Sequence, residues 1–300
     1  MKILVYGAGV IGSLFAVRLH EAGYDVSLLA RGERLDSLRK HGVQLAESDS
    51  PDIRRVMVPV VADPAGGYDL NFVFVRAQHI GQVLKSLHGL TGDVVFMLNW
   101  AAGPLPLGEG IGPERVLLGF PTEGGTMDGQ VIRFVPKSFL TRMVSMPIGE
   151  PDGQNTPRLE RILQLLRAAG LKAKSEPQMD AWLKTHAAFE VPLGQMVHAA
   201  GGLEALAGNP DAIRGMLRVM RVNLASMPTQ PTPRIFNALR IIPEVVLVAL
   251  FRKFLHSSAA APLGTESLAA SAENQLLADQ IIANATPCED SPKPFWRTIC

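Results

Sequence analysis

Residues 3–30 read ILVYGAGVIGSLFAVRLHEAGYDVSLLA, and the fold turns on how this stretch is parsed. Ile3–Tyr6 is a short apolar run of strand formers. Gly7 opens a turn. Val10 to Glu21 carries Leu14, Val17 and Leu19 on an apolar side, as an amphipathic helix does, and Gly23 is its stop. Val26–Ala30 is a second apolar strand. Strand, helix and strand within about thirty residues form a βαβ unit, which implies a parallel sheet.

The alternation continues outward. Val56–Val61, Leu70–Val75, Val94–Leu98 and Val116–Gly119 read as strands, with a helical pattern over His79–Leu90. Gln130–Val135 and Met143–Ile148 flank a turn and are expected to pair. Thr156–Ala169 is an amphipathic helix and Leu171–Ser175 a last strand. From Met179 strand signals nearly vanish, and Ala181–Ala200, Asp211–Met227, Pro233–Phe254 and Glu266–Asn284 all read as helices. The expected architecture is α/β: an N-terminal Rossmann-type doubly wound sheet over residues 1–176, then an all-helical second domain over 177–300.

Composition narrows the function. The chain has 300 residues, 47% of them apolar, and can bury a large core without disulfide or metal staples. Lys and Arg number 29 against 28 Asp and Glu, so no general nucleic-acid footprint exists. No apolar run is long enough to span a bilayer. The N-terminus, interrupted by glycines and soon charged, does not read as a signal peptide. The two cysteines, Cys288 and Cys300, offer no disulfide framework, which fits a reducing, cytoplasmic compartment. The seven histidines lack ligand spacing, so no metal is expected. The apolar helices around Ile241–Phe251 offer a homodimer interface.

Gly7, Ala8, Gly9, Val10, Ile11 and Gly12 spell G-x-G-x-x-G between a strand and a helix, the context in which this pattern binds a dinucleotide. Gly7 permits the tight turn, Gly9 lets backbone approach a pyrophosphate, and Gly12 lets helix and strand pack. The helix N-terminus presents N–H groups and a partial positive charge to the phosphates. A ligand-free glycine turn is the plainer alternative. An NAD site usually carries an acid at the end of the second strand, and this chain has Ala30-Arg31-Gly32. A guanidinium suits a 2′-phosphate, so NADP(H) is expected; as a plain loop cation Arg31 would carry no such meaning.

With these residues on the page, the sequence resembles the ketopantoate reductase (2-dehydropantoate 2-reductase) family. GAGVIG and Ala30-Arg31-Gly32 are similar to its cofactor signatures. Val75-Arg76-Ala77 resembles the place where the family carries a Lys near the 2′-phosphate, and Leu98-Asn99 its Asn near nicotinamide and substrate. Trp182-Leu183-Lys184 is similar to the W-x-K holding its catalytic lysine. The resemblance implies a Rossmann domain, a helical second domain, and reduction of a 2-oxo acid by hydride from NADPH in pantothenate biosynthesis. Lys184 would act as proton donor and Asn99 as the group that orients the reacting centre. Independently, a ketone that accepts hydride needs a cation or proton donor at its oxygen. Lys184 is the only Lys or Arg between Lys174 and Arg214. A lysine merely snorkelling from a helix end is the plainer reading.

The likeness weakens in the second half. The family's Asn residues four and eight positions after the lysine are Ala188 and Pro192 here. Its downstream serine and T-E segment is matched loosely by Ser257-Ser258 and Thr265-Glu266. Glu190 and His186 are new polar groups near Lys184. Glu190, Ser258 and Glu266 are therefore the candidate substrate contacts. The expected function is NADPH-dependent reduction of a small 2-oxo acid. Two alternatives stay open: a catalytically inactive NADP(H)-binding redox sensor, and a hydroxy-acid dehydrogenase of similar build.

Overall fold

A computed structural model describes residues 1–48, 50–134, 144–257, 260 and 268–285. The chain divides into two compact units: Met1–Leu98 with Gly103–Met179, and Asn99–Ala102 with the chain from Asp180 on.

The first unit is built on an eight-stranded sheet. In chain order its strands are β1 (Lys2–Tyr6), β2 (Asp25–Leu29), β5 (Val60–Val61), β6 (Leu70–Val73), β7 (Asp93–Met97), β8 (Val116–Gly119), β11 (Met146–Gly149) and β12 (Ala173–Ser175). Their spatial order is β12-β11-β8-β7-β6-β1-β2-β5. All described neighbours are parallel except β8 and β11. The order reverses between β1 and β6, so the carboxyl ends of those strands mark the switch point where doubly wound sheets bind ligands. Helix α1 (Val10–Glu21) buries Phe15 against Phe72 and Phe74, with ring centroids 6.0 and 4.5 Å away. Such pairs add roughly 0.5–1.5 kcal/mol beyond area burial.

A smaller sheet in the same unit runs β4 (Arg54–Val56), β3 (Val43–Glu47), β10 (Val131–Phe134), β9 (Gly125–Asp128). Asp128-Gly129 turns β9 into β10, with Gly129 at φ +58°. The expected pairing of Gln130–Val135 with Met143–Ile148 is therefore corrected. Val131–Phe134 joins β3 and β9, whereas Met146–Gly149, buried throughout, joins β8 and β12 of the large sheet. Val135 and Met143 lie outside the described residues. Likewise Val56–Val61 is two strands in two sheets, because Pro59 has no N–H to continue a ladder; its carbonyl accepts from Leu28 N at 2.8 Å. Helix α2 (Gly32–His41) escaped the pattern because only Leu38 in it is buried.

The second unit is helical: α6 (Met179–Ala200), α7 (Leu203–Ala207), α8 (Pro210–Ser226), α9 (Ala238–Ile241), α10 (Glu244–Leu255) and α11 (Leu268–Ala283). Leu193, Val197, Met216, Leu217, Met220 and Leu247 form its main core. The expected helix Pro233–Phe254 is broken at Ile242, held extended by Pro243. Ile241, Val245 and Leu250 are exposed. Among the described residues no helix is long and apolar enough to cross a membrane.

One ion cluster clasps the far edge of the large sheet. Arg158, in the first turn of α5 (Pro157–Ala168), donates to both oxygens of Glu150 at 2.7 and 2.5 Å and to Asp93 at 2.8 Å. Glu150 is 3% exposed and also accepts from the Thr156 hydroxyl. The hydrogen bonds to Glu150 raise the Arg158 pKa above its ordinary value. We predict that Arg158→Ala, which strands a buried carboxylate, lowers stability by about 3 kcal/mol. Urea unfolding would measure this; a loss below about 0.5 kcal/mol would show the clasp to be worth no more than a surface pair.

Candidate functional site

In the first unit the chemistry gathers at the carboxyl ends of β2, β1 and β6. Gly7 has φ +110°, and a Cβ there would sit 2.2 Å from the Phe74 carbonyl oxygen. A Cβ on Gly12 would sit 2.0 Å from the Gly7 carbonyl oxygen. Neither position has room for a side chain. Gly9 is different: it caps α1 at φ −73°, with nothing within 4 Å of an added Cβ. No side chain caps α1, and no acid lies in its first turn. The first intrahelical bond is Ser13 N to the Gly9 carbonyl at 3.0 Å, so the Val10, Ile11 and Gly12 amides have no intrahelical acceptor. An open surface over Gly9 beside these amides fits a pyrophosphate.

Arg31 is the N-cap residue of α2 and is exposed. Its Nη2 donates to the Tyr6 hydroxyl at 2.9 Å. Arg76 precedes a 3-10 turn, Ala77–His79, that leads into α3 (Ile80–Leu87). Two arginines thus end strands on either side of the glycine turn, a donor set that suits an additional phosphate. Sequence reading missed Arg34, one turn beyond Arg31. Arg34 Nε donates to the Ala8 carbonyl at 3.1 Å, and its Nη1 to the Gln130 carbonyl and side chain at 3.0 and 2.9 Å. Burial pushes its pKa down. It pins the glycine turn to the β9–β10 turn, and no local pattern announces such a contact across 96 positions.

In the second unit Lys184 lies on α6, 13% exposed, with Nζ 2.7 Å from Asp180 Oδ2. It lines a narrow cavity with Ala101, Ala188, Asn223, Ser226 and Asn284, with room for about one water molecule. The Asn99–Ala102 segment is fixed from α11: Ala101 N donates to Gln280 Oε1 at 2.9 Å, and Asn284 Nδ2 donates to the Ala101 carbonyl at 3.2 Å. The cavity thus shares Ala101 with the segment that bears Asn99. Asn99 Oδ1 is a buried acceptor without a partner among the described residues.

Glu190 is placed elsewhere. It faces His186 at 2.6 Å, His186 stacks on Trp182 with centroids 5.1 Å apart, and neither His186 nor Glu190 lines the Lys184 cavity. Ser258 and Glu266 lie outside the described residues. The polar side chains that do line the cavity, Asn223, Ser226 and Asn284, come from α8 and the end of α11. Sequence reading also missed Asp180, although its place one turn before Lys184 is the spacing of a helical ion pair.

Residues 3–141 match the sequence model of the family described as "Ketopantoate reductase PanE/ApbA". A 2-dehydropantoate 2-reductase of Mesorhizobium japonicum is 27% identical across 61% of this chain and 63% of its own length. The chain spans less than two thirds of the length of the curated relatives it matches. Among solved structures, 2-dehydropantoate 2-reductase from Porphyromonas gingivalis superposes with TM-score 0.64 at 16% identity, covering 94% of this chain and 99% of that one. The ternary structure of D-mandelate dehydrogenase with NADH and anilino(oxo)acetate superposes with TM-score 0.68 at 14% identity, covering 94% and 99%. The chain has the ketopantoate reductase fold. Residues 3–141 are similar to that family's sequence model, which ends before α6.

The glycine geometry makes a direct prediction for this ketopantoate reductase fold. Gly9→Ala, which meets no protein atom, should leave the melting temperature within about 2 °C, roughly 0.5 kcal/mol for a chain of this size. It should weaken dinucleotide binding at least about tenfold by occupying the surface a pyrophosphate needs. Thermal melts and a fluorescence titration with NADPH decide it; unchanged affinity would remove the turn from the binding site.

Proposed function

We propose that this protein is an NADPH-dependent reductase that delivers hydride to the carbonyl of a small 2-oxo acid resembling 2-dehydropantoate, with Lys184 as proton donor. The observation that carries this reading is the combination of an open, uncapped glycine turn bordered by Arg31 and Arg76 with a largely buried lysine lining a cavity. The family match over residues 3–141 supports the first half of it. The Lys184–Asp180 pair supports the second.

The Gly7–Gly12 backbone, through the amides of Val10, Ile11 and Gly12, would hold the pyrophosphate, and Arg31 and Arg76 the 2′-phosphate. The dinucleotide, when bound, supplies the hydride. As the carbonyl carbon accepts it, negative charge grows on the carbonyl oxygen. The Lys184 ammonium stabilises that oxygen and gives it a proton, leaving a neutral amine that regains a proton from solvent. Asp180 keeps Nζ at the cavity rather than free to sweep solvent. The Asn99 carboxamide, its oxygen buried without a partner, orients the reacting group. Ala188 and Pro192 offer no amides on α6, so Asn223, Ser226 and Asn284 would be the polar groups beside Lys184, in a cavity sized for one small group such as the reacting carbonyl oxygen.

The fold shared with D-mandelate dehydrogenase favours a second reading, oxidation of a 2-hydroxy acid in the reverse direction by the same lysine, now a base. One assay separates the readings: loss of NADPH absorbance with 2-dehydropantoate and a panel of 2-oxo acids, against its appearance from NADP with a panel of 2-hydroxy acids. We expect turnover of an oxo acid, with Lys184→Ala lowering kcat by about 10²–10⁴ and leaving NADPH affinity within about twofold. Tight NADPH binding without turnover of any acid would replace catalysis with redox sensing. Loss of NADPH binding in Lys184→Ala would sink the proton-donor role.

A further inference from the structure

Arg31 does not stand alone at the end of β2. Its Nη2 donates to the Tyr6 hydroxyl, and that hydroxyl lies 2.8 Å from Ser86 Oγ on α3. Ser86 Oγ in turn donates to the Val83 carbonyl at 3.0 Å. One arrangement of protons satisfies every group. The single Ser86 proton goes to Val83, so Ser86 accepts from Tyr6, and the Tyr6 oxygen is left as acceptor for Arg31. Tyr6 cannot turn away: it is 4% exposed, and its backbone is pinned between β2 and β6, opposite Leu29 and Val73. The guanidinium carbon lies 5.8 Å from the Tyr6 ring centroid, so the cation rests beside the ring. An exposed arginine is ordinarily free to sample many rotamers, and immobilising it on binding costs affinity.

We propose that Tyr6, locked by Ser86, is a positioning residue that sets the preference for a 2′-phosphorylated dinucleotide by holding the Arg31 guanidinium ready before the cofactor arrives. The inference rests on the NADP(H) reading above and adds to it a determinant outside the glycine turn and the two arginines. One guanidinium N–H is engaged by Tyr6, and the other four stay available for phosphate oxygens. The plainer alternative is that Arg31 merely satisfies a buried phenol.

The two differ in what a phenol deletion does to two cofactors. Dissociation constants for NADPH and NADH, read by fluorescence on the full chain, should shift unequally in Tyr6→Phe: NADPH weaker by about three- to tenfold, the loss expected when one long side chain must be ordered on binding, and NADH within about twofold. Ser86→Ala, which frees the phenol while keeping it, should shift the same ratio in the same direction by less, and it serves as the second variant should Tyr6→Phe fold poorly. Arg31→Ala should collapse the NADPH preference, and Tyr6→Phe added to Arg31→Ala should change the ratio no further. Equal weakening of both cofactors, or an undiminished Tyr6→Phe effect in the Arg31→Ala background, would make Tyr6 a structural residue and overturn the proposal. An unchanged ratio in Arg31→Ala would overturn the 2′-phosphate reading of Arg31 and this proposal with it, whereas a collapsed ratio there beside an unaffected Tyr6→Phe would overturn this proposal alone.

Discussion

The first unit depends on a close approach of two backbones. At Gly7 the chain leaves β1 so near the Phe74 carbonyl that no Cβ fits, and five residues later Gly12, in the first turn of α1, lies against the Gly7 carbonyl. Each contact requires a glycine, and together they force the helix to begin at the switch point of the sheet. Phe15 then falls on Phe72 and Phe74, so the packing of α1 and the exposure of its amides follow from the same constraint. A side chain at either glycine would have to push helix and sheet apart. Gly9 is free of this constraint, since a methyl group there meets nothing of the protein. The packing of the fold uses two of the three glycines and leaves the third open.

The cations follow a second rule, that charge useful to a ligand must be held without being neutralised. Arg158 is paired with carboxylates on two sides and serves the fold. Arg34 is enclosed by carbonyl and amide oxygens and keeps the turn in shape. Arg31 is held by a phenol, which orients a guanidinium without cancelling its charge. Lys184 is the exception among the proposed working cations. It has an acid one turn away, as befits a group asked to give up and regain a proton rather than to bind a permanent anion.

How much of this was legible in the sequence depended on the range of the interaction. Ile3–Tyr6, the glycine turn and Val10–Glu21 could be read because strand periodicity, turn chemistry and helix pattern agree within about thirty residues. The pairing of β10 could not, because its partners lie in β3, more than eighty positions earlier, and in the local hairpin with β9. Helix α2 was invisible for another reason: it buries a single leucine, so no apolar stripe marks it. Arg31 was legible as a cation at a strand end. Tyr6 was legible only as a strand former, since nothing in the pattern says that its hydroxyl meets Ser86 eighty positions on.

The same distinction explains why the glycine turn could be read from sequence and the polar contacts of the helical unit could not. Pyrophosphate recognition is made of backbone, and a backbone conformation is written in glycines that sequence comparison sees directly. Contacts to a small acid are made of side chains, which can move to another helix if they still reach the same space. Here the positions one and two turns after Lys184 are Ala188 and Pro192, while Asn223 from α8 and Asn284 at the end of α11 line the cavity beside Lys184 and Ala188. Asn223 also reaches the Ala188 carbonyl at 3.5 Å, so an amide from the neighbouring helix packs beside the small residue at that position. The amides beside Lys184 thus reach it from α8 and the end of α11, a convergence of distant segments that no local pattern on α6 announces.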